Sequence, residues 1–161
     1  MKYYLKLIRI ENLLLIALMQ LVIKYTFLNQ ADILQALSDW KYFLLIIATL
    51  SIAAGGYIIN DIYDVDVDNI NKPNKVYVGT HISEKNAYNL YFALNVIGVG
   101  LGFYLSRTVN KPAIAAVFVI CSALLYVYSN GLKQIPLVGN AVIAFLAASS
   151  ILVVGLFNIF P

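Results

Sequence analysis

The stretch Asn60-Asp61-Ile62-Tyr63-Asp64-Val65-Asp66-Val67-Asp68 follows directly on the apolar run from Tyr42 to Ile59, and it holds four of the chain's eight acidic residues. If the helix implied by that run continues through it at about 100° per residue, Asp61, Asp64 and Asp68 lie within about 60° of one another. Asp66 points to the other side. Like charges three and four positions apart repel, and more strongly where a membrane boundary reduces screening, so the arrangement calls for a cation. All-oxygen donors without a neighbouring His or Cys pair point to magnesium.

Working outward, the composition is far from that of a soluble domain. Of 161 residues, 61% are hydrophobic and 12% charged, and the mean hydropathy is +0.81. These values describe an integral membrane protein. The net charge of +3 is divided among loops and gives no case for nucleic-acid binding. The single cysteine, Cys121, lies in an apolar run, so an intramolecular disulfide is excluded and a packed residue is expected.

Five membrane helices are expected, at roughly 5 to 27, 41 to 60, 86 to 106, 111 to 129 and 136 to 159, each near the ~20 residues needed to cross hydrocarbon. The fold class is therefore an all-α polytopic bundle forming a single domain over 1–161. Basic residues precede Leu13 to Ile23, as in a signal peptide, but Lys24-Tyr25 closes the run without a small-residue cleavage site. The segment is expected to stay as the first membrane helix. Lys111-Pro112 fits a helix start, and Asn130-Gly131 with Pro136 breaks the chain before the last span. Gly55-Gly56 is expected to let two helices approach closely.

With five spans, the N-terminus and the loops after the second and fourth helices share one side. Seven of the eleven basic residues (Lys2, Lys6, Arg9, Lys72, Lys75, Lys85 and Lys133) fall there. That bias places the carboxylate stretch on the cytoplasmic face of the cell membrane. The last span runs to Phe160-Pro161 with no polar tail or basic anchor after it, and no second carboxylate motif follows. A missing C-terminal half is the expectation.

The order Asn60-Asp61-x-x-Asp64-x-x-x-Asp68, followed by Ile70-Asn71-Lys72-Pro73-Asn74-Lys75 and Gly79, resembles the first aspartate motif of the UbiA-type intramembrane prenyltransferases. Two further stretches are similar to that family: Tyr128-Ser129-x-x-Leu132-Lys133-x-x-Pro136-Leu137-x-Gly139-Asn140, and Arg9-Ile10-Glu11-Asn12 on the first helix. The resemblance implies magnesium-dependent transfer of a prenyl group from a polyprenyl diphosphate to a lipid-soluble acceptor. It implies Asp61, Asp64 and Asp68 as metal-binding and catalytic residues. It also implies Lys75, Lys133, Lys72, Asn60, Arg9, Asn12, Tyr128 and Ser129 around the diphosphate. Asp66-Val67-Asp68-Asn69-Ile70-Asn71-Lys72-Pro73-Asn74-Lys75 most resembles the branch that prenylates geranylgeranylglyceryl phosphate; aromatic quinone precursors are other acceptors in the family.

The chemistry explains why such residues belong together. Splitting an allylic diphosphate leaves a carbocation and pyrophosphate, so metal ions and basic side chains must hold the leaving group's charge. The apolar tail lies among membrane helices, where each buried CH₂ contributes about 0.8 kcal/mol. Other readings of the same residues remain open. Lys75 and Lys133 are either phosphate ligands or loop anchors, Arg9 either a ligand or a snorkelling side chain, and Tyr128 either a pocket hydroxyl or an interfacial aromatic. Tyr88, Tyr91, Phe92, Phe103 and Tyr104 either line a carbocation channel or pack the bundle. His81 has no metal partner in the sequence.

The chain also departs from the family. Its members have about nine membrane helices and a second aspartate motif, so this chain resembles only an N-terminal half and is expected to be inactive alone. Lys75 stands where the family carries arginine, which keeps the charge and loses the bidentate fork. The runner-up is a non-catalytic protein that binds prenyl lipid or a partner subunit through a half-site. A phospholipid head-group transferase is disfavoured because its D-G-x-x-A-R segment is missing.

Overall fold

The computed structural model describes residues 1–29 and 35–159, and the described residues form an all-helical bundle. Seven α-helices follow one another: α1 (Lys2–Leu7), α2 (Ile10–Val22), α3 (Asp39–Tyr63), α4 (Val65–Asn71), α5 (Glu84–Thr108), α6 (Ala116–Asn130) and α7 (Val138–Asn158). A π-helical segment, Ile23–Leu28, prolongs α2, and short 3₁₀ turns precede α5, α6 and α7. Among the described residues, five helices are long and apolar enough to cross a membrane: Ile10–Leu28, Asp39–Tyr63, Glu84–Thr108, Pro112–Asn130 and Val138–Asn158. The expected spans are all present.

The core is built around α3, whose Tyr42, Leu45, Ala48, Ile58 and Ile59 are essentially inaccessible. Association of helices in lipid rests on close contact, and small residues permit it. A Cβ on Gly55 would stand 2.8 Å from Asn95 Nδ2 on α5, and one on Gly56 would stand 2.6 Å from Leu125 on α6. The expected role of this glycine pair holds. Gly98 and Gly102 of α5 do the same against Ile52 and Phe118.

Two elements differ from the simplest reading of the sequence. The first span is broken before it begins: α1 ends at Leu7, and Arg9 takes a left-handed conformation (φ 52°, ψ 58°) at the start of α2. Leu7 anchors this corner, fully buried with Ile58, Ile59, Ile62, Val78 and Ile82. The aspartate helix bends at Asp64 (φ −95°, ψ −1°) and resumes as α4. The hydrogen-bond ladder nevertheless crosses the bend, from Asp64 N–H to the Asn60 carbonyl at 3.0 Å and from Asp68 N–H to the Asp64 carbonyl at 2.7 Å. The angular relation among the aspartates therefore survives. Asp61, Asp64 and Asp68 are partly buried, and Asp66 is exposed.

The loops are set by local chemistry. Lys72 ends α4 and Pro73–Lys75 forms a 3₁₀ turn. Gly79 (φ 83°) then reverses the chain, donating its N–H to the Ile82 carbonyl at 2.8 Å. That left-handed conformation suits glycine. Ser83 caps α5 by accepting the Asn86 N–H at 3.3 Å. Pro112 opens the 3₁₀ turn before α6, and Gly131 ends α6, both as expected.

Candidate active site

The N-terminus of α2, the C-terminal turns of α3 and the Leu132–Gln134 turn after α6 meet at one end of the bundle. Each brings part of an ionic cluster. Arg9 Nη2 donates to Asp61 Oδ1 at 2.9 Å, and Lys133 Nζ donates to Asp64 Oδ1 at 2.6 Å. Asn60, one turn before Asp64 on the same helix, donates Nδ2 to the other Asp64 oxygen at 2.8 Å. Both oxygens of Asp64 are thereby engaged.

Tyr57 completes the arrangement. The Arg9 guanidinium lies over its ring at 4.8 Å from the centroid, and Asn12 donates to its hydroxyl at 3.4 Å. Stacking on one side and an ion pair on the other fix the guanidinium in the plane between α2 and α3. Asp61 is thus held by Arg9 at the start of α2, whose guanidinium is in turn positioned by Tyr57, one turn before Asp61 on α3.

Below the cluster a cavity of about 720 Å³ runs between α2, α3, α6 and α7. Arg9, Asn12, Tyr57, Asn60 and Tyr128 line its ionic end, and its walls are apolar, with Leu15, Ile16, Ile52, Ala53, Leu125 and Leu146 among them. A charged mouth that continues into an apolar cleft suits a molecule with an anionic head and a hydrocarbon tail. Cys121 lines this cavity and is half-buried, so it packs the wall as expected.

The structure sorts the residues singled out from the sequence. It gathers Arg9, Asn12, Asn60, Asp61, Asp64, Tyr128 and Lys133 at one end. Asp68 is partly buried but carries no ion pair among the described residues. Lys72 and Lys75 are exposed and form no ion pair with the aspartates. Ser129 is buried and its hydroxyl is taken by the Leu125 carbonyl at 2.9 Å, because it faces back along its own helix rather than into the cavity. The aromatic set Tyr88, Tyr91, Phe92, Phe103 and Tyr104 does not line the cavity, and His81 lies against Tyr3 with ring centroids 3.8 Å apart and planes tilted by 55°. Tyr57 was not singled out, although its position four residues before Asp61 puts it on the aspartate face.

Among the described residues, no three acidic, His or Cys side chains converge closely enough to form a metal cage by themselves. The donors do fit magnesium in another way. Magnesium is commonly held by one or two carboxylates together with substrate phosphates and water, and Asp61, Asp64, Asp68 and Asn60 offer only oxygen ligands of that kind.

Comparison with known proteins agrees with this architecture. A solved structure described as concerning digeranylgeranylglyceryl phosphate synthase in membranes superimposes with a TM-score of 0.82 at 26% identity, covering 99% of this chain and 55% of that one. The digeranylgeranylglyceryl phosphate synthase of Sulfolobus acidocaldarius is 34% identical over 156 residues, which is 92% of this chain and 50% of the relative. The synthase of the same name from Saccharolobus solfataricus is 41% identical over 105 residues, 65% of this chain and 36% of the relative. The chain thus spans about half the length of the curated relatives it matches. The family model described as the UbiA prenyltransferase family matches residues 14–158. The chain belongs to the UbiA prenyltransferase family.

Proposed function

We propose that this protein takes part in magnesium-dependent transfer of a prenyl group from a prenyl diphosphate to a lipid-soluble glyceryl phosphate acceptor. The observation that carries this reading is the continuity of the Arg9–Asp61 and Lys133–Asp64 cluster with an apolar cavity of about 720 Å³. The relatives named digeranylgeranylglyceryl phosphate synthase support the acceptor class.

In the reaction, the allylic C–O bond breaks, diphosphate leaves with the electron pair, and the acceptor hydroxyl forms a new C–O bond as it loses its proton. Magnesium, when bound, offsets the charge gathering on the leaving diphosphate. Asp61, Asp64 and Asp68 are the residues that would hold it, with Asn60 orienting the Asp64 carboxylate. Arg9 and Lys133 would bind phosphate oxygens directly. Both cations already stand beside the carboxylates, so diphosphate binding exchanges their partners rather than recruiting them from solvent. Tyr57 keeps the Arg9 guanidinium oriented during that exchange, and the cavity walls shield the tail and the reacting carbon from water. The bias of basic residues supports an orientation with this end of the bundle at the cytoplasmic face of the cell membrane.

The test uses membranes carrying the full-length gene product, incubated with labelled prenyl diphosphates and geranylgeranylglyceryl phosphate. Label should enter the acceptor with magnesium present and fail to do so after chelation. Full activity in Asp61→Ala plus Asp64→Ala would overturn the metal assignment. Transfer only to aromatic acceptors would overturn the acceptor class.

A further inference from the structure

Tyr57 stands at the ionic end of the cavity and Thr49, two helical turns earlier on α3, at the other. Their separation along the helix is about 12 Å at 1.5 Å per residue. Thr49 and Ser150, which line that far end, are joined by a polar bridge. Gln20, fully buried on α2, donates Nε2 to Thr49 Oγ1 at 3.3 Å and to the Ser150 carbonyl at 2.7 Å. It therefore ties α2, α3 and α7 together directly below the cleft. The Thr49 hydroxyl donates to the Leu45 carbonyl at 3.0 Å, and the Tyr42 hydroxyl donates to the backbone carbonyl of Gln20, while Gln20 Oε1 has no partner among the described residues. Beyond this layer lies Lys24, itself buried and paired with Asp39 at 2.7 Å.

An amide at this depth is costly unless hydrogen-bonded, because hydrocarbon offers no replacement partners. An apolar chain that pushed past Gln20 would have to separate it from Thr49 and Ser150 and leave those groups unsatisfied. The cleft above accepts apolar groups; the layer below rejects them.

We propose that Gln20, held by Thr49 and Ser150, is the floor of the tail-binding cleft and fixes the longest prenyl chain that the protein accepts. This rests on the reading of the cavity as the site of a prenyl tail. It makes Gln20 a specificity-determining residue on a helix that carries none of the aspartates.

The experiment measures binding of a ladder of prenyl diphosphates, from geranyl to hexaprenyl, to the protein reconstituted in nanodiscs with magnesium. The wild type should bind progressively tighter up to one chain length and no tighter beyond it. Gln20→Ala should raise affinity for the next longer chain by about tenfold or more while leaving geranyl diphosphate unaffected. Ala53→Phe, which puts a ring into the cleft one turn above the floor, should move the limit to a shorter chain. Loss of folding cannot produce shifts in opposite directions.

A Gln20→Ala protein with lowered thermal stability and an unchanged limit would show that Gln20 only joins helices, and would overturn the proposal. A wild-type protein without any limit, or an Ala53→Phe protein with the wild-type limit, would do the same. A wild type that binds no prenyl diphosphate of any length would instead sink the reading of the cavity, and the floor with it.

Discussion

Arg9 and Asp61 are separated by 52 positions in sequence and meet at 2.9 Å. The contact depends on the left-handed backbone of Arg9, which turns the chain between α1 and α2 at the level of the last turn of α3. A non-glycine residue in that conformation is uncommon, and here it coincides with the residue that reaches the first aspartate.

The first prediction concerns this pair. The Arg9 side chain is 44% exposed and that of Asp61 18%. Solvent screens so open an ion pair, and Asp61→Asn should change stability by less than about 1 kcal/mol. On the proposed function, the same substitution should weaken prenyl diphosphate binding in magnesium by about a hundredfold, because it removes one of the carboxylates proposed to hold the metal. Thermal unfolding and binding, measured on one preparation, separate the two effects.

Lys133 and Asp64 are more enclosed, with side chains 17% and 23% exposed. Lys133→Ala would leave Asp64 with Asn60 alone and should cost about 1 to 3 kcal/mol. Lys133→Arg should restore stability more fully than binding, since the guanidinium keeps the charge but carries it on a larger planar group. Equal losses in both variants would argue that the position serves geometry alone.

Gly139 governs where Lys133 sits. A Cβ there would lie 3.2 Å from both the Leu132 carbonyl oxygen and the Lys133 Cα, so Gly139→Ala must displace the turn by a few tenths of an ångström. Binding of prenyl diphosphate should fall by about tenfold, with helical content unchanged. Circular dichroism alongside a binding titration checks both.

Glycines on α5 should respond differently to the same change. A Cβ on Gly102 would stand 2.4 Å from the Phe118 ring, which is itself held edge-on by Phe157 at 5.9 Å. Gly102→Ala should destabilise the protein by about 1 to 3 kcal/mol through overpacking. Gly100 has nothing within 4 Å, so Gly100→Ala should be neutral or stabilise by up to about 1 kcal/mol through helix propensity. Thermal unfolding in detergent ranks the two.

The orientation expected from the charge bias can be tested by labelling. In a Cys121→Ser background, Lys72→Cys should react with a membrane-impermeant thiol reagent from the cytoplasmic side, and Asn110→Cys from the opposite side. Reactivity of both from one side would contradict the five-span arrangement.

The number of spans was readable because it depends on length and hydropathy, which are local. The aspartate face was readable because helical geometry alone relates Asp61, Asp64 and Asp68, and the ladder across Asp64 preserves that relation despite the bend. The corner at Arg9 was not readable. Leu7-Ile8-Arg9-Ile10 holds no proline or glycine that would break a helix; in the structure the break accompanies burial of Leu7 against Ile58, Ile59 and Ile62 of α3 and against Val78 and Ile82. Ser129 shows the converse error. Its neighbour Tyr128 faces the cavity, and a one-residue step of about 100° turns Ser129 onto its own backbone.

The all-helical membrane class, the family resemblance and the aspartate face were legible from the chain alone, since each is carried by residues close together along it. Helix packing was needed to pair Arg9 with Asp61 and Lys133 with Asp64, to set Tyr57 between α2 and the aspartates, and to join Gln20 to Thr49 and Ser150. Those contacts join residues from 29 to 130 positions apart in the case of Gln20 and 69 in the case of Lys133. They arise when packing brings helix ends and faces together, and no local pattern encodes that meeting.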